Sequence, residues 1–227
     1  MSIAENLAQI RKRIAEICAR LGRSTDSVRL VAVSKTKSVS DVMEAYTEGQ
    51  RDFGENYIQE AISKIEATAH LPIHWHMIGH LQTNKAKYAA KMFDMIQTID
   101  SIKLAQELDK RAKAAGRIIP VMIEVNVGDE ASKSGCAPDQ VHSLSIEILR
   151  LDSLDLKGLM AMPPYLSPEE ERPFFSLMAK LREKVIAFGI PESNIKELSM
   201  GLSHDFEVAI EEGATMVRIG TAIFGAR

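Results

Sequence analysis

One lysine, Lys35, closes the apolar run VRLVAVSK and shares the side-chain direction of Val31 and Val33, because alternate residues of an extended strand point the same way. At a strand end in a closed sheet its amine is aimed into the mouth and partly stripped of water. Desolvation disfavours the ammonium form, lowers the pKa and leaves a neutral nucleophile able to attack an aldehyde and form an imine. Taken alone, the same residue reads as a lysine whose stem packs while its charge snorkels out. What shifts the balance lies near the other end of the chain, where LSMGLSHDFEVAIEEG and MVRIGTAIFG each place small residues and a hydroxyl before a helix or turn. Backbone N–H groups of Gly201, Gly220 and Thr221, with the hydroxyls of Ser199, Ser203 or Thr221, are suited to cradle phosphate oxygens at a helix N-terminus. A Gly-Thr pair by itself can simply build a turn. Arg218, two residues before Gly220, can face inward while the following backbone addresses the phosphate, or can be an ordinary salt-bridged arginine.

Other polar residues also follow apolar runs: Glu55 and Asn56, His80 and Gln82, and Asn126, while Met160 and Met162 end another run. His74 and His76 alternate on one strand and raise the question of zinc. No carboxylate or cysteine lies at a diagnostic spacing, and the flanking Trp75 and Met77 read as a packed strand, so no metal site is expected. His80 either contacts a ligand or caps the next helix, a role Asn84 fills equally well. The two cysteines, Cys18 and Cys136, are too few and too far apart for a disulfide framework or a CxxC site, and read as free thiols.

These residues need a scaffold that brings strand ends together. The first residues set Ile3, Leu7, Ile10, Ile14, Ile17 and Leu21 at helical spacing and end at Gly22, an amphipathic helix ahead of any strand. From residue 28 onward the pattern repeats: a short apolar run, a polar or glycine-containing turn, then about a dozen helix-like residues. Strand candidates are VRLVAVS, RDFGE, HWHMIG, FDMIQTI, IPVMIEVNV, LKGLMAM, IKELSM and MVRIG; helix candidates include SVSDVMEAYTEG, IKLAQELDKRAKAAG and PDQVHSLSIEILR. Eight units of this kind predict an α/β fold, a single (β/α)8 TIM-type barrel with an extra N-terminal helix, occupying residues 1–227 as one domain. A doubly wound open sheet would want a glycine-rich first turn that is missing. Residues 162–173, MPPYLSPEEERP, read as a long loop before the helix FFSLMAKLREKVIAFG. In such barrels the site lies at the C-terminal strand ends, and phosphate is commonly held after strands seven and eight.

The formal net charge is −3 and the basic residues are dispersed, which argues against nucleic-acid and anionic-membrane partners. The charged N-terminal segment has no signal-like or membrane-spanning stretch, and a cytoplasmic protein is expected. With no obvious apolar extension, a monomer is expected.

Taken in order, VAVSKTK, FGENYIQE, WHMIGHLQTNK, EVNVGDEASKSG, GLMAMPP, LSMGLSHD and VRIGTAIFGAR closely resemble the motifs of the pyridoxal phosphate homeostasis proteins, from about residue 28 to the C-terminus. That family's barrel resembles the N-terminal domain of alanine racemases. The resemblance implies pyridoxal 5′-phosphate (PLP) held as an imine on Lys35, with phosphate contacts from Ser199, Gly201, Gly220 and Thr221. It places Arg218 against the pyridine nitrogen, where a permanent positive charge discourages ring protonation and weakens the electron sink. Asn56, His80, Met160 and Met162 resemble residues lining the ring. Leu202, where methionine is frequent, and His204 before Asp205 are departures that remove no group needed for the cofactor.

The implied role is a vitamin B6 carrier that buffers PLP or delivers it to apo PLP-dependent enzymes, with no established catalytic residue. Such racemases use a second β-rich domain that supplies a tyrosine base, for which the chain past the last strand has no room. The rival reading is a single-domain PLP-dependent racemase-like enzyme, which needs an acid/base opposite Lys35; Tyr57, Tyr165 and His204 are the candidates. A third treats the barrel as a partner-binding sensor of PLP.

Overall fold

Ser2 caps the first helix, α1 (Ile3–Arg20), in a reciprocal capping box with Glu5, and the helix buries Leu7, Ile10, Ile14 and Ile17 along one face. Gly22, at φ +66°, follows the C-cap in the left-handed region that glycine adopts without steric cost. In the computed structural model, which describes residues 2–128 and 134–225, α1 lies across the outside of the sheet seam. Asn6 Nδ2 donates to Ile223 O at 2.8 Å, Arg13 pairs with Glu207 at 2.8 Å, and the Arg23 guanidinium donates to Ile210 O and Ala214 O. The middle of EVNVGDEASKSG and the last two residues of VRIGTAIFGAR lie outside the described residues.

Eight parallel strands follow: β1 (Arg29–Val33), β2 (Asp52–Glu55), β3 (His74–Met77), β4 (Met95–Ile99), β5 (Ile119–Val125), β6 (Leu154–Ala161), β7 (Glu197–Ser199) and β8 (Met216–Ile219). They pair in chain order and close through β1 against β8, with Val31 opposite Arg218. The connecting helices are α2 (Val39–Thr47), α3 (Ile58–Ala67), α4 (Ala86–Met92), α5 (Ile102–Ala114), α6 (Val141–Leu149), α7 (Pro168–Ala187) and α8 (Phe206–Glu211), and α9 (Thr221–Phe224) follows β8. Every strand expected from the sequence is present, each within a few residues of its expected ends. Short strands rich in branched apolar residues are what a sheet covered on its outer face and filled inside requires.

Two cores result. The larger lies between the barrel and its helices. The smaller fills the barrel itself, where Val31, Met95, Met122, Met160 and Met216 form a layer no more than 8% exposed. Unbranched methionines suit this tapered space because three soft torsions let them fill irregular gaps.

One expectation fails locally. The stretch 162–173 is a loop only as far as Ser167, whose capping box with Glu170 and Pro168 at the first helical position start α7 six residues before Phe174. Pro173 is carried inside the helix. Among the described residues, no helix is long and apolar enough to cross a membrane.

Candidate functional site at the C-terminal mouth of the barrel

Lys35 lies two residues past β1 and is partly buried. The loop that carries it is held from behind. Lys64 of α3, 3% exposed, donates from Nζ to Ser34 O at 2.6 Å, Glu55 Oε1 at 2.8 Å and Glu60 Oε1 at 2.7 Å, while Ser34 Oγ donates to Glu55 Oε1 at 2.6 Å. Thr36 N donates to the same Glu60 oxygen, and Thr36 sits at φ +66°. That conformation costs a β-branched residue roughly 1–2 kcal/mol and persists because this network over-determines it. Glu55, expected at the mouth, therefore points outward to α3. Strand parity carried the signal: Gly54 faces inward, where a Cβ would meet Val31 and Ile78, so its neighbour Glu55 faces the helices. Burial pushes the Glu55 pKa up, against the hydrogen bonds from Lys64 and Ser34.

The cavity beside Lys35, about 310 Å³, is lined by Val33, Asn56, Met162, Ser203, Arg218, Gly220 and Thr221, with Tyr165 and His204 on its outer wall. Gly220 N and Ala222 N both donate to Ser203 Oγ at 3.3 Å, so one hydroxyl and two amides converge at the start of α9. Arg218 reaches the cavity from below, 1% exposed. Its Nη1 donates to Ser199 Oγ at 2.6 Å and its Nη2 to Ala161 O at 2.8 Å, while Nε has no hydrogen-bond partner. Burial pushes its pKa down to about 10, opposed by Asp205 and Glu124, which leaves it a cation at neutral pH.

Arg218 heads a relay through the barrel axis. Ser199 Oγ donates to Gln97 Oε1 at 2.6 Å, Gln97 Nε2 meets His76 Nδ1 at 2.9 Å, and His76 Nε2 meets Asp52 Oδ1 at 3.0 Å. Gln97 Nε2 can only donate, so His76 Nδ1 accepts and Nε2 carries the proton to Asp52; all donors then run from Arg218 towards Asp52. Burial would raise the Asp52 pKa, but the His76 hydrogen bond holds it below the ordinary carboxylate value. Gln97 and Asp52 were not singled out from the sequence. His76 is the packed strand residue expected, now with named partners.

Not all the expected residues share the Lys35 cavity. Met160 belongs to the methionine layer, Ser199 acts one step removed through Arg218, and Gly201, at φ +96°, leaves no room for a Cβ against Ala209 and Phe206 of α8. His80 is exposed on the opposite rim, its Nδ1 3.0 Å from Ser134 Oγ, and caps no helix; nor does Asn84. Asn126 lines a separate surface cavity with Gly135, and Gln82 one with His80 and Tyr57.

A further group ties the rim together. Glu171, in the first turn of α7, accepts from Leu166 N at 2.7 Å and from His204 Nε2 at 2.8 Å, and the Tyr165 ring meets that of His204 at a tilt of 44°, with centroids 4.4 Å apart. Burial, then the neighbouring Glu171, pushes Asp205 up to about 7, while the hydrogen bonds from His204 and Leu166 N help hold Glu171 low. Taken together, the mouth holds a primary amine, a serine hydroxyl on which two backbone amides converge, and a buried cation with one donor unpartnered.

The family described as alanine racemase, N-terminal domain, matches residues 6–227. A pyridoxal phosphate homeostasis protein of Pseudomonas aeruginosa is 45% identical over 227 residues, covering all of this chain and 96% of its own. Two solved structures of PipY from Synechococcus elongatus PCC7942 are 36% identical and cover 99% of this chain and all of theirs. The form without PLP superposes with a TM-score of 0.89 and the PLP-bound form with 0.83.

Proposed function

The chain belongs to the pyridoxal phosphate homeostasis proteins, built on the alanine racemase N-terminal domain, and on that footing we propose that it binds PLP in the Lys35 cavity, as a Schiff base on the Lys35 amine, and serves as a cytoplasmic vitamin B6 carrier rather than a turnover enzyme. One observation carries this reading: the cavity lined by Lys35 is also lined by Ser203, Gly220 and Thr221 and by Arg218, whose buried Nε has no hydrogen-bond partner. PLP supplies an aldehyde for a primary amine and a pyridine ring that stores negative charge better when its nitrogen is protonated.

Each residue has a part in the proposal. Lys35 is the covalent anchor. Ser203, Gly220 and Thr221 receive the phosphate, and Arg218 offers Nε–H to the ring nitrogen, keeping that nitrogen unprotonated. Asn56 and Met162 form the ring walls. Met160 and Gly201 act as packing around the floor, Ser199 positions Arg218, and His80 borders the neighbouring chamber. A carrier working as a monomer and handing PLP to apo enzymes needs no acid/base opposite Lys35.

A racemase-like reading draws on one observation, that Tyr165 and His204 border the Lys35 cavity. Both are already engaged, His204 with Glu171 and Tyr165 with His204. Exchange of amino-acid α-protons in D₂O that depends on Lys35 would favour it over the carrier. The carrier reading is tested by titrating PLP into the purified protein: a chromophore near ~420 nm should form stoichiometrically. Its absence, or its persistence in Lys35→Ala, refutes the assignment.

A further inference from the structure

Beside the Lys35 cavity lies a second chamber of about 310 Å³, which shares Asn56, Met162, Tyr165 and His204 with it. The two differ in charge. Lys35, Arg218 and Gly220 line the first, whereas Glu124, Glu171 and Asp205 line the second. Among the described residues its basic groups are the imidazoles of His80 and His204.

Glu171 accepts from Leu166 N and His204 Nε2, and Asp205 accepts from Leu202 N through one oxygen, while its Oδ2 has no hydrogen-bond partner and lies 3.7 Å from His204 Nε2. Glu124 of β5 lies outside that cluster. It is 3% exposed, its Oε2 has no hydrogen-bond partner, and Arg218, which faces it across the mouth, directs its Nη atoms to Ser199 and Ala161 instead. A desolvated carboxylate oxygen without a donor is costly, and the natural remedy is a cationic donor from outside. Tyr165, 81% exposed, borders the chamber and adds an aromatic face of the kind that attracts organic cations. The volume lies at the lower end of small-molecule sites.

We propose that this chamber binds a small primary ammonium ion, an alkylamine of a few carbons, whose N–H donors are accepted by the Glu124 carboxylate. The site is separate from the PLP assignment and stands without it. A divalent cation on Glu171, His204 and Asp205, whose ligand atoms lie within 4.8 Å of one another, is the rival occupant. On Glu171 and His204 a metal would have to break hydrogen bonds already made, while the amine needs only an oxygen that has none.

The electrostatics around Glu124 give the inference a pH signature. Facing it are Asp100 at the end of β4, Arg218 of β8, His80 after β3, Glu171 of α7, and His204 and Asp205 after β7. Burial, with Asp100 adding to it and Arg218 opposing, pushes Glu124 up to about 7. A cation beside it favours the ionised form, so affinity rises as pH rises through that region and levels off above it.

The test is calorimetric titration of the full-length protein with butylammonium chloride, using butanol and butyrate as size-matched probes. Saturable binding of butylammonium alone is expected at pH 8, about tenfold weaker at pH 6. Glu124→Gln, folded by circular dichroism, should weaken it at least about tenfold at pH 8. Lys35→Ala should retain it, since no imine is involved. The proposal is overturned if butanol binds as well as the amine, if Glu124→Gln binds like the unaltered protein, or if binding disappears with Lys35→Ala. It is equally overturned if Zn²⁺ binds in a His204-dependent way while the amine does not bind.

Discussion

Ser199→Ala removes a single oxygen from the centre of the barrel, and the relay makes its effect calculable. Ser199 is fully buried, accepts from Arg218 Nη1 and donates to Gln97 Oε1, each at 2.6 Å. Alanine there leaves a guanidinium N–H and an amide oxygen facing each other's former partner with no water to replace it. Each orphaned group costs roughly 1–3 kcal/mol, the charged one towards the upper end, so a loss of about 3 kcal/mol is expected after partial relaxation. The internal control is Ser145→Ala. Ser145 is equally buried, but its Oγ donates to Val141 O one turn back in α6, a carbonyl the helix already occupies, so less than about 1 kcal/mol should be lost. For a chain of this size, 3 kcal/mol corresponds to a fall in Tm of roughly 6–12 °C. Urea unfolding of both variants, read for midpoint and slope, measures the difference. Equal losses in the two variants would show that the relay holds nothing beyond an ordinary serine contact.

Three other perturbations probe separate parts of the fold. Folded Glu124 keeps its proton up to about pH 7, against 4.5 for the ordinary carboxyl, so the unaltered protein loses stability as pH rises through that window. Glu124→Gln should therefore match it near pH 4 and exceed it by about 1–3 kcal/mol at pH 8, read by urea melts across pH. Lys64→Met strips the buried Glu55 and the neighbouring Glu60 of their shared cation and should cost about 3–5 kcal/mol, with Glu55→Gln recovering part of the loss in the double variant; additive losses would contradict the pairing. Gly158→Ala would place a Cβ 1.9 Å from Glu197 O, so β6 and β7 must separate; a folded variant within about 1 kcal/mol of the parent in thermal unfolding would refute that register.

The strands were legible because each is a short apolar run with a polar punctuation after it. β1, expected at 28–34 and found at Arg29–Val33, shows how closely composition and spacing track a doubly covered sheet. Lys35 and Arg218 were legible for the same reason, since parity along β1 and β8 turns both inward. Depth along the barrel axis was not. Met160 and Ser199 face inward as Lys35 does, yet they lie a layer below the mouth, because the stagger between neighbouring strands sets depth and leaves no mark in any single strand. The relay was hidden for a related reason: Asp52, His76, Gln97 and Ser199 come from four different strands, and only closure brings them into a line. Glu55 could have been placed correctly from parity with Gly54. The early start of α7 was likewise readable in Ser167, Pro168 and Glu170, where the prolines and acidic residues gave a loop-like composition to a capped helix.

The covalent anchor is the centre of the account, and borohydride reduction followed by peptide mass mapping addresses it directly. After incubation with PLP and reduction, one phosphopyridoxyl group should be found, on the peptide that contains Lys35, and Lys35→Ala should carry none at matched stoichiometry. Label on another lysine in the unaltered protein, or undiminished labelling in Lys35→Ala, would contradict it.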